Sequence, residues 1–166
     1  MSHGARRSAA LVVLGALLLI ASPALGQSGR SLAEWQRDLR NPAVDVRVRA
    51  VQALVAFDRR AVPVLTTALA DKEYRVRASA VEVLVKMPPA DVVPGMIEAL
   101  RSAEVSIRAN AAGVLGSFGA AAIAAAPALA RALKDDHPRV RELAGEALTR
   151  ISGDPNQAVM LPFTCH

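Results

Sequence analysis

Aromatic side chains are almost missing from this chain: one Trp, one Tyr and three Phe in 166 residues, or 3%. That scarcity removes the stacking platforms that grip single-stranded nucleic acid. With Tyr, Phe, Trp and Thr all scarce, the composition also argues against a sheet-built core. Cysteine is rarer still. Cys165 stands alone, so no disulfide closes within the chain and the fold must stand on packing. Placed one residue from the end, Cys165 reads as an inert thiol. The three histidines, His3, His137 and His166, are scattered. There is no Gly-rich phosphate loop and no Cys–His pairing that would activate a nucleophile. Asp135 and Asp136 read as a turn and helix cap. The expectation is therefore no catalytic residue, no metal and no cofactor.

What the sequence does have is aliphatic residue. Hydrophobic residues make up 52%, dominated by Ala, Leu and Val, and Ala and Leu lead the helix-propensity order. The N-terminus reads MSHGARRSAALVVLGALLLIASPALGQ. Arg6 and Arg7 form a short positive region, Ala9 to Ala21 an apolar run, and Ser22 to Gly26 a small-residue exit. That is the layout of a secretory signal peptide over residues 1–26, cleaved near Ala24 or Gly26. The apolar run of 13 residues is shorter than the roughly 18 to 20 that cross a bilayer; an uncleaved membrane anchor is the alternative. The expected location is exported, periplasmic or extracellular. The whole chain carries 20 basic and 15 acidic residues, a net +5. Without Arg6 and Arg7 the balance is 18 against 15, or +3, which is only mildly basic.

The remainder repeats itself. The pattern Val-Arg-x-x-Ala-x-x-x-Leu appears as VRVRAVQAL from Val46, VRASAVEVL from Val76, IRANAAGVL from Ile107 and VRELAGEAL from Val140. Seven residues before each start stands Leu39, Leu69, Leu100 or Leu133, and six before the last three leucines stands Pro63, Pro94 or Pro127. Each unit resolves into two helices. In the first, apolar residues precede the leucine by four and seven. The prolines either kink this helix or sit in its first turn. Asn41, Asp71, Ser102 and Asp135 are candidate N-caps for the second helix.

Counting the first Val or Ile of the second helix as position 0, apolar residues fall at 0, 4, 7, 8 and 11, one helical face. In the first unit these are Val46, Ala50, Ala53, Leu54 and Phe57. Positions 2, 5 and 9 are apolar or small in three units (Val48, Val51, Val55 in the first) but read Glu142, Gly145 and Thr149 in the fourth. This face is expected to pack on the next hairpin, and its polar form in the fourth unit marks the end of the array. Positions 3, 6 and 10 form the remaining polar strip, expected to line the concave surface. They supply Arg49, Gln52, Ser79, Glu82, Lys86, Asn110, Ser117, Glu146 and Arg150.

These units resemble HEAT repeats, in the short form of about thirty residues related to the phycobilisome-lyase type. The Pro-x-Leu-x-x-x-Leu first helix, the Asp-containing turn and the Val-Arg-x-x-Ala-x-x-x-Leu second helix carry the resemblance, over residues 31 to 153. It implies an all-α fold, an α-solenoid of about four HEAT-like helical hairpins at approximately 31–58, 61–88, 91–119 and 120–153, within an array of 27–153 that precedes a 154–166 tail. Val159, Met160, Leu161 and Phe163 of that tail could fold back over the last hairpin. The resemblance further implies that Arg47, Arg77, Arg108 and Arg141, at one repeat position, form a structural ladder that braces the turns, with Asp71 and Asp135 as acidic partners.

Two enzymes share such an architecture. Deoxyhypusine hydroxylase holds iron through several His-Glu pairs, which this sequence lacks, and a bilin lyase calls for a pigment-sized cleft that nothing here singles out. The strip holds three positive and two negative charges, so it is no electrostatic footprint for phosphate and no nucleic-acid partner is expected. The expected role is an exported scaffold or adaptor that binds a protein or peptide through the concave polar strip. The alternatives are a lyase- or hydroxylase-like enzyme, or an envelope structural module held in the membrane by an uncleaved N-terminal segment.

Overall fold

The computed structural model describes residues 29–153; the expectations placed on residues 1–26, on the 154–166 tail and on Cys165 fall outside them. The described residues form four helical hairpins: α1 (Leu32–Asp38) with α2 (Val44–Ala53), α3 (Val62–Ala68) with α4 (Tyr74–Lys86), α5 (Pro89–Ala99) with α6 (Val105–Ser117), and α7 (Ala126–Ala132) with α8 (Pro138–Ser152). Two 3-10 segments, Leu54–Ala61 and Gly119–Ala125, join the first hairpin to the second and the third to the fourth. The fold is an all-α solenoid.

One continuous core runs through the stack, because no hairpin of this size can bury its apolar stripe alone. Leu54, Leu65, Leu84, Met96, Leu115 and Leu129 are fully enclosed in it. The repeat leucines are the residues at which the first helices end: Leu39, Leu69, Leu100 and Leu133 are their C-caps. Leu69 and Leu100 are buried, while Leu133 of the last hairpin is 37% exposed. Pro63 and Pro127 occupy the first turns of α3 and α7, where a missing N–H is cheap. Pro94 instead lies inside α5.

The two ends of the array are closed differently. At the start, Ser31 and Glu34 form a reciprocal capping box: Ser31 N–H donates to Glu34 Oε2 at 2.7 Å, and Glu34 N–H donates to Ser31 Oγ at 3.3 Å. The Arg30 guanidinium lies 4.0 Å from the centre of the Trp35 ring and pairs with Asp38 at 2.8 Å, covering a side chain that no other hairpin precedes among the described residues. At the far end, Gly153 stops α8 in the left-handed conformation, φ 67°.

The second helices reveal which face looks where. Positions 2, 5 and 9 of the third unit, Ala109, Ala112 and Gly116, are buried by the following repeat. The approach is so close that a Cβ on Gly116 would stand 2.9 Å from Ala147 Cα. In the fourth unit, which is followed by no further hairpin among the described residues, Glu142 is exposed. Val55 departs from the expected packing and is 48% exposed. The α-helix ends at Ala53 and the 3-10 segment that follows has a different angular period, so position 9 of that unit no longer points at its neighbour.

The N-caps are not the residues expected. Asn41, Asp71, Ser102 and Asp135 each stand two residues before the cap, which is Ala43, Glu73, Glu104 or His137. Their side-chain oxygens accept from the N–H of that cap residue, at 2.9, 2.8, 3.2 and 2.9 Å. They shape the turn and do not satisfy the first helical amides.

The two 3-10 connections share one backbone feature at position 12: Gly119 has φ 53° and Asp58 has φ 47°, ψ −144°. Asp58 is exposed and sits close to a region that only glycine populates freely, a placement worth about 1–3 kcal/mol of strain. Asp58→Gly is expected to raise the stability by about 1 kcal/mol, read as a higher urea midpoint. An unchanged or lowered midpoint would show that the strain is compensated elsewhere.

Candidate functional site

The arginine at position 1 of each second helix reaches back over its own turn. Arg47 Nη1 donates to the carbonyls of Asn41 and Pro42 at 2.9 and 3.1 Å. Arg77 does the same to Asp71 and Lys72 (2.7 and 2.9 Å), Arg108 to Ser102 and Ala103 (2.9 and 3.0 Å), and Arg141 to Asp135 and Asp136 (2.8 and 3.0 Å). These carbonyls belong to the sharp connection between two helices and have no intrahelical donor. A guanidinium suits them because its planar fork presents several donors from a fixed position.

In two units the rest of the fork is used between repeats. Arg47 Nε and Nη2 donate to Asp71 Oδ2 and Oδ1 of the second unit at 2.8 and 3.0 Å. Arg108 makes the same bidentate pair with Asp135 of the fourth unit, at 2.8 and 2.9 Å. Both aspartate side chains are 12% exposed, and those of Arg47 and Arg108 are 5% and 15% exposed. Arg77 has no such carboxylate, since Ser102 stands where the second and fourth units carry Asp71 and Asp135, and Arg141 belongs to the last hairpin among the described residues. Burial works against the Asp71 carboxylate, yet the Arg47 hydrogen bond and the Glu73 N–H hold its pKa below the ordinary value. The hydrogen bond from Arg108 does the same for Asp135, against burial and with help from the His137 N–H.

The residues of the anticipated strip separate into two groups. Gln52, Glu82, Lys86, Ser117, Glu146 and Arg150, at positions 6 and 10, are exposed along one side of the stacked second helices. Lys86 pairs with Glu82 at 2.6 Å and Arg150 with Glu146 at 3.6 Å, each one turn apart. Ser117 Oγ donates to Gly113 O at 3.0 Å. Position 3 behaves otherwise. Ser79 is buried, with its hydroxyl unpartnered among the described residues, and Asn110 is half-buried and donates to Leu69 O of the preceding unit at 3.0 Å. Leu143, at the same position in the fourth unit, packs on the core. Position 3 therefore faces the preceding repeat, so Ser79 and Asn110 do not belong to an open strip. Arg49, in the first hairpin among the described residues, is exposed, and its Nε donates to Asp45 O at 3.3 Å.

His137, the one histidine among the described residues, accepts the Arg139 N–H on Nδ1 at 3.2 Å as a helix cap. Among the described residues no three His, Cys, Asp or Glu side chains converge as metal ligands would, and no helix is long and apolar enough to cross a membrane.

The family profile for HEAT repeats matches residues 34–112 and 93–161. Among solved structures, an engineered protein is 17% identical with a TM-score of 0.45; the match covers 78% of this chain and 65% of that one. The complex of CpcE and CpcF of phycocyanin lyase from Nostoc sp. PCC7120 is 19% identical with a TM-score of 0.37, covering 82% of this chain and 70% of that one. This chain thus spans a little under two thirds of the engineered protein. No curated protein matches the sequence.

Because Asp71 and Asp135 titrate lower in the folded chain than in the unfolded one, their contribution is whole above the ordinary carboxylate pKa. It is lost as pH falls through that range, below about pH 4. Asp71→Asn keeps the turn acceptor, as Asn41 does, but loses the charged pair, and is expected to cost about 2 kcal/mol near neutral pH. The double variant Asp71→Asn/Asp135→Asn should flatten the fall in melting temperature between pH 5 and about pH 3. A residual slope is expected from Glu34 and Glu82, whose carboxyls are held low by Ser31 and Lys86. An undiminished slope would remove the clamps from the account of acid stability.

Proposed function

The chain belongs to the HEAT-repeat family, and on that premise we propose that it is an exported scaffold or adaptor that holds a protein or peptide against the exposed polar row of its second helices, the strip expected to line the concave surface. HEAT repeats generally mediate protein–protein interaction. The observation that carries the reading is the row at positions 6 and 10: Gln52, Glu82, Lys86, Ser117, Glu146 and Arg150 are exposed in register along the stack. A surface of amide, hydroxyl and both signs of charge matches a peptide's own hydrogen-bonding groups better than a phosphate backbone or an apolar ligand. Export rests on the signal-like residues 1–26.

The reading assigns no chemistry to the chain. His137 spends its acceptor nitrogen as a cap; of the perturbed carboxylates, Asp71 and Asp135 serve the clamps, Glu34 a capping box, and Glu82 pairs with Lys86 on the exposed row. In a scaffold the recognition surface is spread over several repeats, and its rim charges tune approach more than affinity.

The test is an affinity capture from envelope extract with the wild type and with Gln52→Ala/Glu82→Ala/Ser117→Ala/Arg150→Ala, all surface changes that leave the core intact. A retained protein whose affinity falls about tenfold or more in the variant is the expected result. Ser79→Ala, buried in the repeat junction, should leave that affinity alone. A partner held equally by wild type and quadruple variant would move the binding surface elsewhere on the chain.

A further inference from the structure

The three junctions between successive repeats are not equally joined. Between the first and second, Arg47 grips Asp71 and an exposed pair links Asp45 of α2 to Arg75 of α4 at 3.1 Å. Between the third and fourth, Arg108 grips Asp135 and Gly116 lets α6 lie against the Ala147 backbone. Neither device exists between the second and third.

There Ser102 replaces the aspartate, and its Oγ is occupied by the Glu104 N–H at 3.2 Å. Arg77 donates only to its own turn. At the position of the Asp45–Arg75 pair, Arg75 is already engaged with Asp45 and the third unit offers Ser106. The apolar face that α4 turns toward α6, namely Ala78, Val81 and Val85, has no buried member; the matching face of α2 buries Val51 while Val48 is half-covered and Val55 exposed, and Ala109, Ala112 and Gly116 of α6 are all buried. One polar tie crosses on this side, Asn110 Nδ2 to Leu69 O at 3.0 Å.

The first-helix side of the same junction is tight. A Cβ on Gly95 of α5 would stand 2.8 Å from Val62 Cγ1 of α3. One side is in close contact and the other lightly held, which is the arrangement of a hinge.

We propose that the array is two firm two-repeat bodies joined by a compliant joint between the second and third repeats, pivoting where α3 meets α5 at Val62 and Gly95 and opening between α4 and α6. Bending there changes the separation of Glu82 and Lys86 from Glu146 and Arg150 without disturbing either body. The joint stands on packing and hydrogen bonds alone and holds whether or not the exposed row binds a partner.

The test uses spin labels at position 10, which is exposed in all four units: Ala56, Lys86, Ser117 and Arg150. In the full chain carrying Cys165→Ser, distance distributions are measured for the pairs 56–86, 86–117 and 117–150. The middle pair is expected to be about twofold broader than the outer two. Ser102→Asp, which restores the missing carboxylate, should narrow it toward their width. Three equal widths would overturn the joint. A broad middle pair unmoved by Ser102→Asp, in a variant whose circular dichroism is unchanged, would overturn the assignment of its compliance to the missing clamp.

Discussion

Everything in this fold leans on a guanidinium laid across a turn. A helical hairpin of about thirty residues has to reverse direction within a few residues, and the carbonyls at that reversal have lost their helical donors. In all four repeats the arginine at position 1 supplies them, with two hydrogen bonds of 2.7–3.1 Å. Because the fork has donors left over, the same residue can bind the next turn as well. That converts a local brace into a link between repeats whenever an aspartate is there to receive it. The aspartate, in turn, is placed by the turn it shapes, since Asp71 and Asp135 each accept the N–H two residues on. A partly buried, bidentate pair of this kind is held far more firmly than an exposed ion pair.

The direction of stacking follows from this link. The clamp ties the second helix of one unit to the turn ahead of the second helix of the next. Successive second helices are thereby set side by side, with positions 2, 5 and, except at Val55, 9 meeting the following unit and position 3 meeting the preceding one. What each end of the array shows to water is fixed by the same geometry. Glu142 is exposed where the fourth unit would face a fifth, Arg49 where the first would face a predecessor. Arg30 folded over Trp35 completes the front end.

The repeat period, the hairpins and the core stripe were legible in the sequence, because each recurs at a fixed offset and a single helical period explains it; the bracing role of the arginine was implied by the resemblance to HEAT repeats and not by the spacing. What was not legible was the far side of the helix. A helical wheel places Ser79 and Asn110 on the same polar strip as Glu82 and Lys86, but it cannot say how far round the preceding repeat wraps. Only the stack shows that position 3 lies under that neighbour. The signal existed in Leu143, the one apolar residue at position 3. The turn residues misled for a similar reason: Asn, Asp and Ser serve both N-caps and the turns before them, and a shift of two residues separates the roles. Asp58 could not have been anticipated, though its counterpart Gly119 occupies the same repeat position and hinted at the backbone both require.

The row of exposed polar residues gains its character from what the clamps do and do not hold. Glu82 with Lys86 and Glu146 with Arg150 are solvent-facing pairs that add little to stability, so their positions are set almost wholly by the helices that carry them. Those helices, α4 and α8, lie on opposite sides of the one junction without a clamp. Within each half the spacing of the row is fixed by an Arg–Asp pair; between the halves it follows the angle at Val62 and Gly95. A partner that touched both charged pairs would thus have to select one angle out of a range, and its affinity would carry the free energy of that selection. A partner confined to one half would not. Placing a serine at residue 102, where two other units have aspartate, makes the array adaptable in length along the row while leaving each binding half rigid.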